Sequence, residues 1–201
     1  GFYTAYITNQ PGNHSYVDFF AMQGDEHHPI RKELRKTKRR LYDSDMLPYL
    51  SHLMESDHAK LFVVLHTYGS HFSYRDRYPQ EEGFFPIDHR YSGSKADSLM
   101  LRNAYDNAIR QTDKFITSVI DMLASGDRAA SMLYISDHGE DVFDDDRERF
   151  LHSSPDVSYY QLHVPLLLWS SPSWREAHPH LFASARANER EAISSNSVFH
   201  T

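Results

Sequence analysis

Four short apolar runs punctuate the chain, at residues 2–8, 61–65, 132–136 and 164–169. Each is rich in β-branched or aromatic side chains and shows little polar alternation, the pattern of strands buried on both faces. Between the runs the apolar spacing becomes helical. Residues 43–55 carry Met46, Leu47, Leu50, Leu53 and Met54. Residues 98–124 align Leu101, Tyr105, Ala108, Ile109, Thr112, Ile116, Val119, Ile120 and Leu123 on one stripe, and Gly126 follows as a stop signal. Strands alternating with helices predict an α/β fold with a largely parallel sheet. The chain opens directly on the first strand and halts after Val198-Phe199-His200-Thr201 without a helix stop signal. Both ends therefore read as cut, as in a fragment of a longer protein.

Composition narrows the classes. The 201 residues suit about one domain, and 40% hydrophobic content supports a sizeable core. A net charge of −7 argues against a nucleic-acid partner. With no cysteine, a disulfide scaffold, a thiolate metal site and a cysteine nucleophile are excluded. Histidine is the outlier, with 14 residues, and imidazole is the commonest metal ligand. His27, His28, His52, His58, His178 and His180 lie in polar contexts and read as surface side chains. No apolar run is long enough to span a bilayer.

Two charge clusters stand apart. Residues 31–40 hold seven Lys or Arg, which read first as a solvated face and second as a contact for anionic lipid head groups or phosphates. Glu140-Asp141 with Asp144-Asp145-Asp146 lacks the glycine and spacing of a calcium loop and reads as a solvent loop beside which a cation could sit.

Ligands of open α/β sheets bind beyond the carboxyl ends of the strands. His66-Thr67-Tyr68-Gly69-Ser70-His71 follows the second apolar run, and Asp137-His138-Gly139-Glu140 follows the third. Adjacent Asp137 and His138 can reach one ion, because Gly139 lets the backbone turn tightly. A carboxylate oxygen and an imidazole nitrogen suit zinc. The plainer alternative is an Asp that caps the following turn, with a bystander His. His71 and His152 are candidates to contact a phosphate or sulfate group, or a second metal; taken alone, each reads first as a hydrogen-bonded loop histidine. His66 abuts its strand and fits a satisfied core histidine. His163 precedes the last strand, so in a parallel sheet it falls at the opposite edge and is left out. There is no G-x-S-x-G, P-loop, G-x-G-x-x-G or H-E-x-x-H.

At these residues the chain resembles the alkaline-phosphatase superfamily in its sulfatase branch, above all the bacterial inner-membrane phosphoethanolamine transferases that modify lipid A and lipopolysaccharide core. The resemblance runs in order through Asn9-Gln10, Tyr42-Asp43-Ser44-Asp45-Met46-Leu47, Leu65-His66-Thr67-Tyr68-Gly69-Ser70-His71 and Arg77-Tyr78-Pro79. It continues through Tyr105-Asp106-Asn107, Ile135-Ser136-Asp137-His138-Gly139-Glu140, Leu151-His152 and His163-Val164-Pro165-Leu166-Leu167-Leu168-Trp169. The closing Asn196–Thr201 stretch is similar to the lead-in of the family's last helix.

The resemblance implies a three-layer α/β sandwich with a largely parallel sheet, of which residues 1–201 form part of the catalytic domain. It implies a zinc cofactor with Asp137 and His138 among the ligands, His71 and His152 on the transferred phosphate or a second zinc, and Glu140 in support behind them. The acidic first-strand ligand and the Thr nucleophile of the family pattern fall upstream of Gly1, and Thr4, Thr8 and Thr67 do not take that role. The implied partners are a phospholipid donor and an envelope glycolipid or glycan acceptor. The implied location is the bacterial inner membrane, reached through an N-terminal domain absent here, with the catalytic domain facing the periplasm. Two alternatives stay open: a sulfatase or phosphatase-type ester hydrolase of the same superfamily, and a non-catalytic α/β envelope binding module.

Overall fold

A computed structural model describes residues 1–12, 16–38, 40–88, 97–152 and 155–199. Arg39 of the basic run, and His200 and Thr201 of the closing stretch, lie outside the described residues. The chain divides into two compact units, Gly1–Val119 and Ile120–Thr201.

The first unit is built on a parallel sheet of order β2-β1-β3, from β1 (Tyr3–Thr8), β2 (Glu26–Pro29) and β3 (Leu61–His66). Central β1 buries Ala5, Ile7 and Thr8. Helix α1 (Tyr16–Ala21) crosses from β1 to β2, and α2 (Ile30–Leu34) leaves the carboxyl end of β2. β2 is an addition to the sequence pattern: Glu-His-His-Pro has no apolar run, and as a four-residue edge strand it needs none. His27 and His28 are therefore half-buried strand residues, not surface ones. His28 Nε2 stands 2.8 Å from Glu26 Oε2, and its Nδ1 3.4 Å from Glu33 Oε1. The helix expected at 43–55 opens with a 3-10 turn (Asp43–Met46) and continues as α3 (Leu47–Met54), with Pro48 near its start where no N–H is needed. The long helix α4 (Ser98–Ser125) supplies Leu101, Ala104, Ala108 and Phe115 to the core. Its buried Asn107 accepts from the Phe84 and Phe85 amides at 2.9 Å each.

In the second unit β4 (Ser131–Ile135) pairs antiparallel with β7 (Leu166–Ser170), Ile135 opposite Leu166. A second pair, β5 (Asp141–Val142) and β6 (Phe150–Leu151), is also antiparallel. Helical turn α5 (Tyr159–Leu162) precedes β7, and α6 (Pro172–Ala177), α7 (Pro179–Ala187) and α8 (Asn196–Phe199) follow it. Ser158 and Ser171 cap α5 and α6 by accepting from the Gln161 and Trp174 amides. No helix among the described residues is long and apolar enough to cross a membrane.

Two expectations need correction. The last apolar run lies antiparallel to its neighbour, because a run of apolar residues carries no information on strand direction. His163 consequently sits at the same edge as Asp137, not the opposite one. Burial on both faces also fails for the later strands: Leu166, Leu167 and Leu168 are 42%, 39% and 45% exposed. Successive strand residues point to opposite faces, so neither face of β7 is fully covered.

Candidate metal centre

The second unit gathers three metal-capable side chains. One ligand atom from each of His138, Glu140 and His152 lies within 4.8 Å of the others. The hairpin explains how: pairing of Asp141 with Leu151 sets Glu140 across from His152. Leu151 adopts φ 68°, a left-handed conformation that costs a branched residue about 1 kcal/mol or more and that turns the chain just before His152.

His152 Nδ1 is 2.9 Å from Glu140 Oε1. His138 Nδ1 is 2.9 Å from the Gly139 carbonyl oxygen, which can only accept, so Nδ1 carries the proton and Nε2 is the lone-pair nitrogen. The two imidazole rings lie 3.8 Å apart, tilted by 36°. Glu140 is 6% exposed, and its Oε2 is buried with no hydrogen-bond partner among the described residues. An orphaned carboxylate oxygen beside two imidazoles is a donor set that zinc fits.

Asp137 is placed differently. Its side chain is 86% exposed, and Oδ2 stands 3.9 Å from His138 Nε2, a separation that one cation can bridge. Oδ1 accepts from the His138 amide at 3.0 Å, the turn-capping bond that the plainer alternative describes. Gly139 holds the loop against α5, donating to the Gln161 carbonyl at 2.8 Å. A Cβ on Gly139 would lie 2.0 Å from the Tyr160 carbonyl oxygen, so only glycine fits.

The acidic cluster is a solvent loop only in part: Asp144 and Asp146 are exposed. Glu140 and Asp141 are buried, Asp141 accepting from Gln161 Nε2, while Asp145 accepts from Arg147 and Arg149. The arginine bonds hold the Asp145 carboxyl below its usual range, the Arg147 bond contributing most. Neither the docking of α5 on Gly139 nor the deep burial of Glu140 is marked in the sequence, because the partners lie 12 to 22 residues away.

In the first unit, His66 is satisfied, its Nδ1 2.9 Å from Thr8 Oγ1. His71 lies on the exposed loop after β3, with Nδ1 2.6 Å from the Phe72 carbonyl oxygen and its ring edge-on to Tyr68. Gly69, at φ 56°, shapes this loop. Asp43 braces it from the 3-10 turn, accepting from the amides of Tyr68 at 2.8 Å and Gly69 at 2.9 Å, and from Asn9 Nδ2 at 2.9 Å. Burial holds the Arg77 guanidinium below the usual arginine range, and the neighbouring charge of Arg31 adds to the effect.

Comparison with known proteins agrees with this architecture. The family model described as Sulfatase matches residues 1–201, and the chain belongs to that family. It is 31% identical over 207 residues to phosphoethanolamine transferase CptA of Salmonella typhimurium, covering all of this chain and 35% of the relative. It is 29% identical over 189 residues to phosphoethanolamine transferase EptC of Escherichia coli, covering 91% of this chain and 33% of the relative. The crystal structure of the C-terminal periplasmic domain of EptC from Escherichia coli in complex with Zn superposes with a TM-score of 0.78 at 29% identity, over 89% of this chain and 52% of that one. The fold is thus the α/β, alkaline-phosphatase and sulfatase-like class that the motifs imply. The chain spans about a third of the length of the curated relatives it matches.

Proposed function

We propose that this chain is part of the catalytic domain of a metal-dependent phosphoethanolamine transferase of the bacterial cell envelope. Such an enzyme moves phosphoethanolamine from a phospholipid donor to lipopolysaccharide or a related glycan through a covalent enzyme intermediate. The observation that carries it is the convergence of His138, Glu140 and His152 at the strand edge where Asp137 also lies. Supporting it are the names of the relatives and the zinc complex of the EptC domain.

On this reading Asp137 and His138 would hold zinc. The ion, when bound, lowers the pKa of the nucleophile hydroxyl and stabilises charge on the phosphoryl oxygens. His138 offers Nε2, because its Nδ1–H is committed to the Gly139 carbonyl. Glu140 fixes the ring of His152 through Nδ1, so that its other nitrogen meets a phosphoryl oxygen or a second ion. His71, on the loop after β3 of the first unit, is a further candidate to contact a phosphoryl oxygen. The nucleophile and a further acidic ligand come from sequence outside residues 1–201. The protein carrying this chain works at the inner membrane, with this domain on the periplasmic side.

The test is transfer by the full-length protein from a phosphatidylethanolamine donor to lipopolysaccharide, followed by mass spectrometry of the acceptor. His138→Ala and His152→Ala should each abolish the added phosphoethanolamine mass. Hydrolysis of an aryl sulfate with no transfer from lipid would replace this reading with the ester-hydrolase one. Full transfer by His138→Ala would remove it.

A further inference from the structure

We propose that Arg31 and Arg77 together form a binding site for a phosphate group. Both guanidinium carbons stand over the ring of Tyr68, at 4.5 Å and 3.7 Å from its centroid. The two positive charges are therefore no more than about 8 Å apart. Like charges brought this close call for an anion, and the protein supplies none by ion pairing. Among the described residues neither arginine has a carboxylate at ion-pair distance. The nearby Asp43 carboxylate is committed to the Tyr68 and Gly69 amides and to Asn9.

Each arginine is anchored through its inner nitrogen. Arg31 Nε donates to the Asn9 carbonyl, and Arg77 Nε donates to the His71 carbonyl at 2.8 Å. Arg77 Nη2 reaches the Phe72 carbonyl at 3.3 Å. Among the described residues, Arg77 Nη1 and both terminal nitrogens of Arg31 meet no acceptor. The forks are thus oriented by backbone bonds, with donors remaining for a ligand. The remaining donors of the two forks are of the kind that hold a phosphate through charge-assisted bonds. The niche opens beside a shallow cleft lined by Asn9, Leu41, Tyr42, Asp43, Tyr68, Gly69 and Arg77. Lys32, Arg35, Lys36 and Arg40 of the same basic run are all exposed. In a chain of net charge −7, this local excess draws an anion to one place. The site rests on this geometry and does not require the transfer reaction.

The same chemistry is offered by free phosphate esters and by a phospholipid headgroup, so the experiment has two arms. In the first, inorganic phosphate is titrated into the 201-residue protein while amide resonances are followed by NMR. Saturable shifts at Tyr68, Gly69 and Arg77 are expected. Arg31→Gln and Arg77→Gln should each weaken binding at least tenfold, Arg31→Lys less, and Arg190→Gln not at all. Arg77 also anchors a loop, so Arg31→Gln carries the decision, with an unchanged far-UV spectrum as the folding check. Absence of saturable shifts, or equal affinity in Arg31→Gln and the parent, overturns the proposal. In the second arm the protein is sedimented with phosphatidylglycerol or phosphatidylcholine vesicles. Retention by the anionic vesicles that is lost in Arg31→Gln assigns a lipid headgroup; phosphate binding without retention assigns a soluble ester. Retention equal in the parent and Arg31→Gln counts against the site.

Discussion

Glu140 Oε1 stands 2.9 Å from His152 Nδ1 across the short β5–β6 ladder. The bond orients a ring whose neighbour, His138, belongs to a different turn. Removing such an outer partner costs a metal site about 10–100-fold in affinity. Glu140→Ala should therefore weaken zinc binding by that factor without unfolding the chain, as read by competition with a chromogenic chelator. An unchanged affinity would mean that Glu140 and His152 lie outside the zinc site.

Gly139 makes a sharper structural demand. An added methyl group meets the Tyr160 carbonyl oxygen at 2.0 Å, and backbone cannot yield as a side-chain tip can. Gly139→Ala should destabilise the protein by about 2 kcal/mol or more in urea unfolding, in line with other overpacking changes. Gly24→Ala is the control: its nearest contact is 3.4 Å, and it should be tolerated.

Asp43 accepts from two loop amides, so its loss leaves both without their acceptor. Hydrogen bonds to charged acceptors are worth roughly 1.5–3 kcal/mol each. Asp43→Ala should cost roughly 3 kcal/mol and raise amide exchange at Tyr68 and Gly69. Asp43→Asn, which keeps one acceptor, should cost less.

Tyr49 gives a pH signature. Burial pushes its phenol up to about 12, and the bond to Glu33 adds to the shift. A folded-state value above the ordinary value of 10 means a contribution fully present below pH 10 and lost as pH rises through about 12. The stability difference between the parent and Tyr49→Phe should be constant at neutral pH and shrink across that alkaline window. Denaturant melts at stepped pH values measure it, and a difference that grows there would contradict the geometry.

How much of this was legible from sequence depends on the residue. The four apolar runs became β1, β3, β4 and β7 with ends shifted by at most two residues, and the stripe at 98–124 became α4. Apolar spacing locates such elements but not how deeply they are buried: β3 leaves Phe62 and β4 leaves Leu133 exposed. β2 was not legible, because an edge strand of Glu26, His27, His28 and Pro29 takes its place from pairing with β1 and not from apolarity. The direction of β7 was hidden for the reason that misplaced His163. At the site, His138 and His152 were named from sequence and lie with their rings 3.8 Å apart. The burial of Glu140 and Asp141 was missed: a run of acids looks solvated until His152, Gln161 and Arg149 arrive from elsewhere in the chain.

The most direct test of the central claim is zinc titration of the 201-residue protein beside Asp137→Ala and His138→Ala. The account predicts weak but measurable binding that falls at least tenfold in each variant, and much tighter binding by the full-length protein. Tight zinc binding by the 201-residue protein, unchanged in Asp137→Ala and His138→Ala, would contradict it.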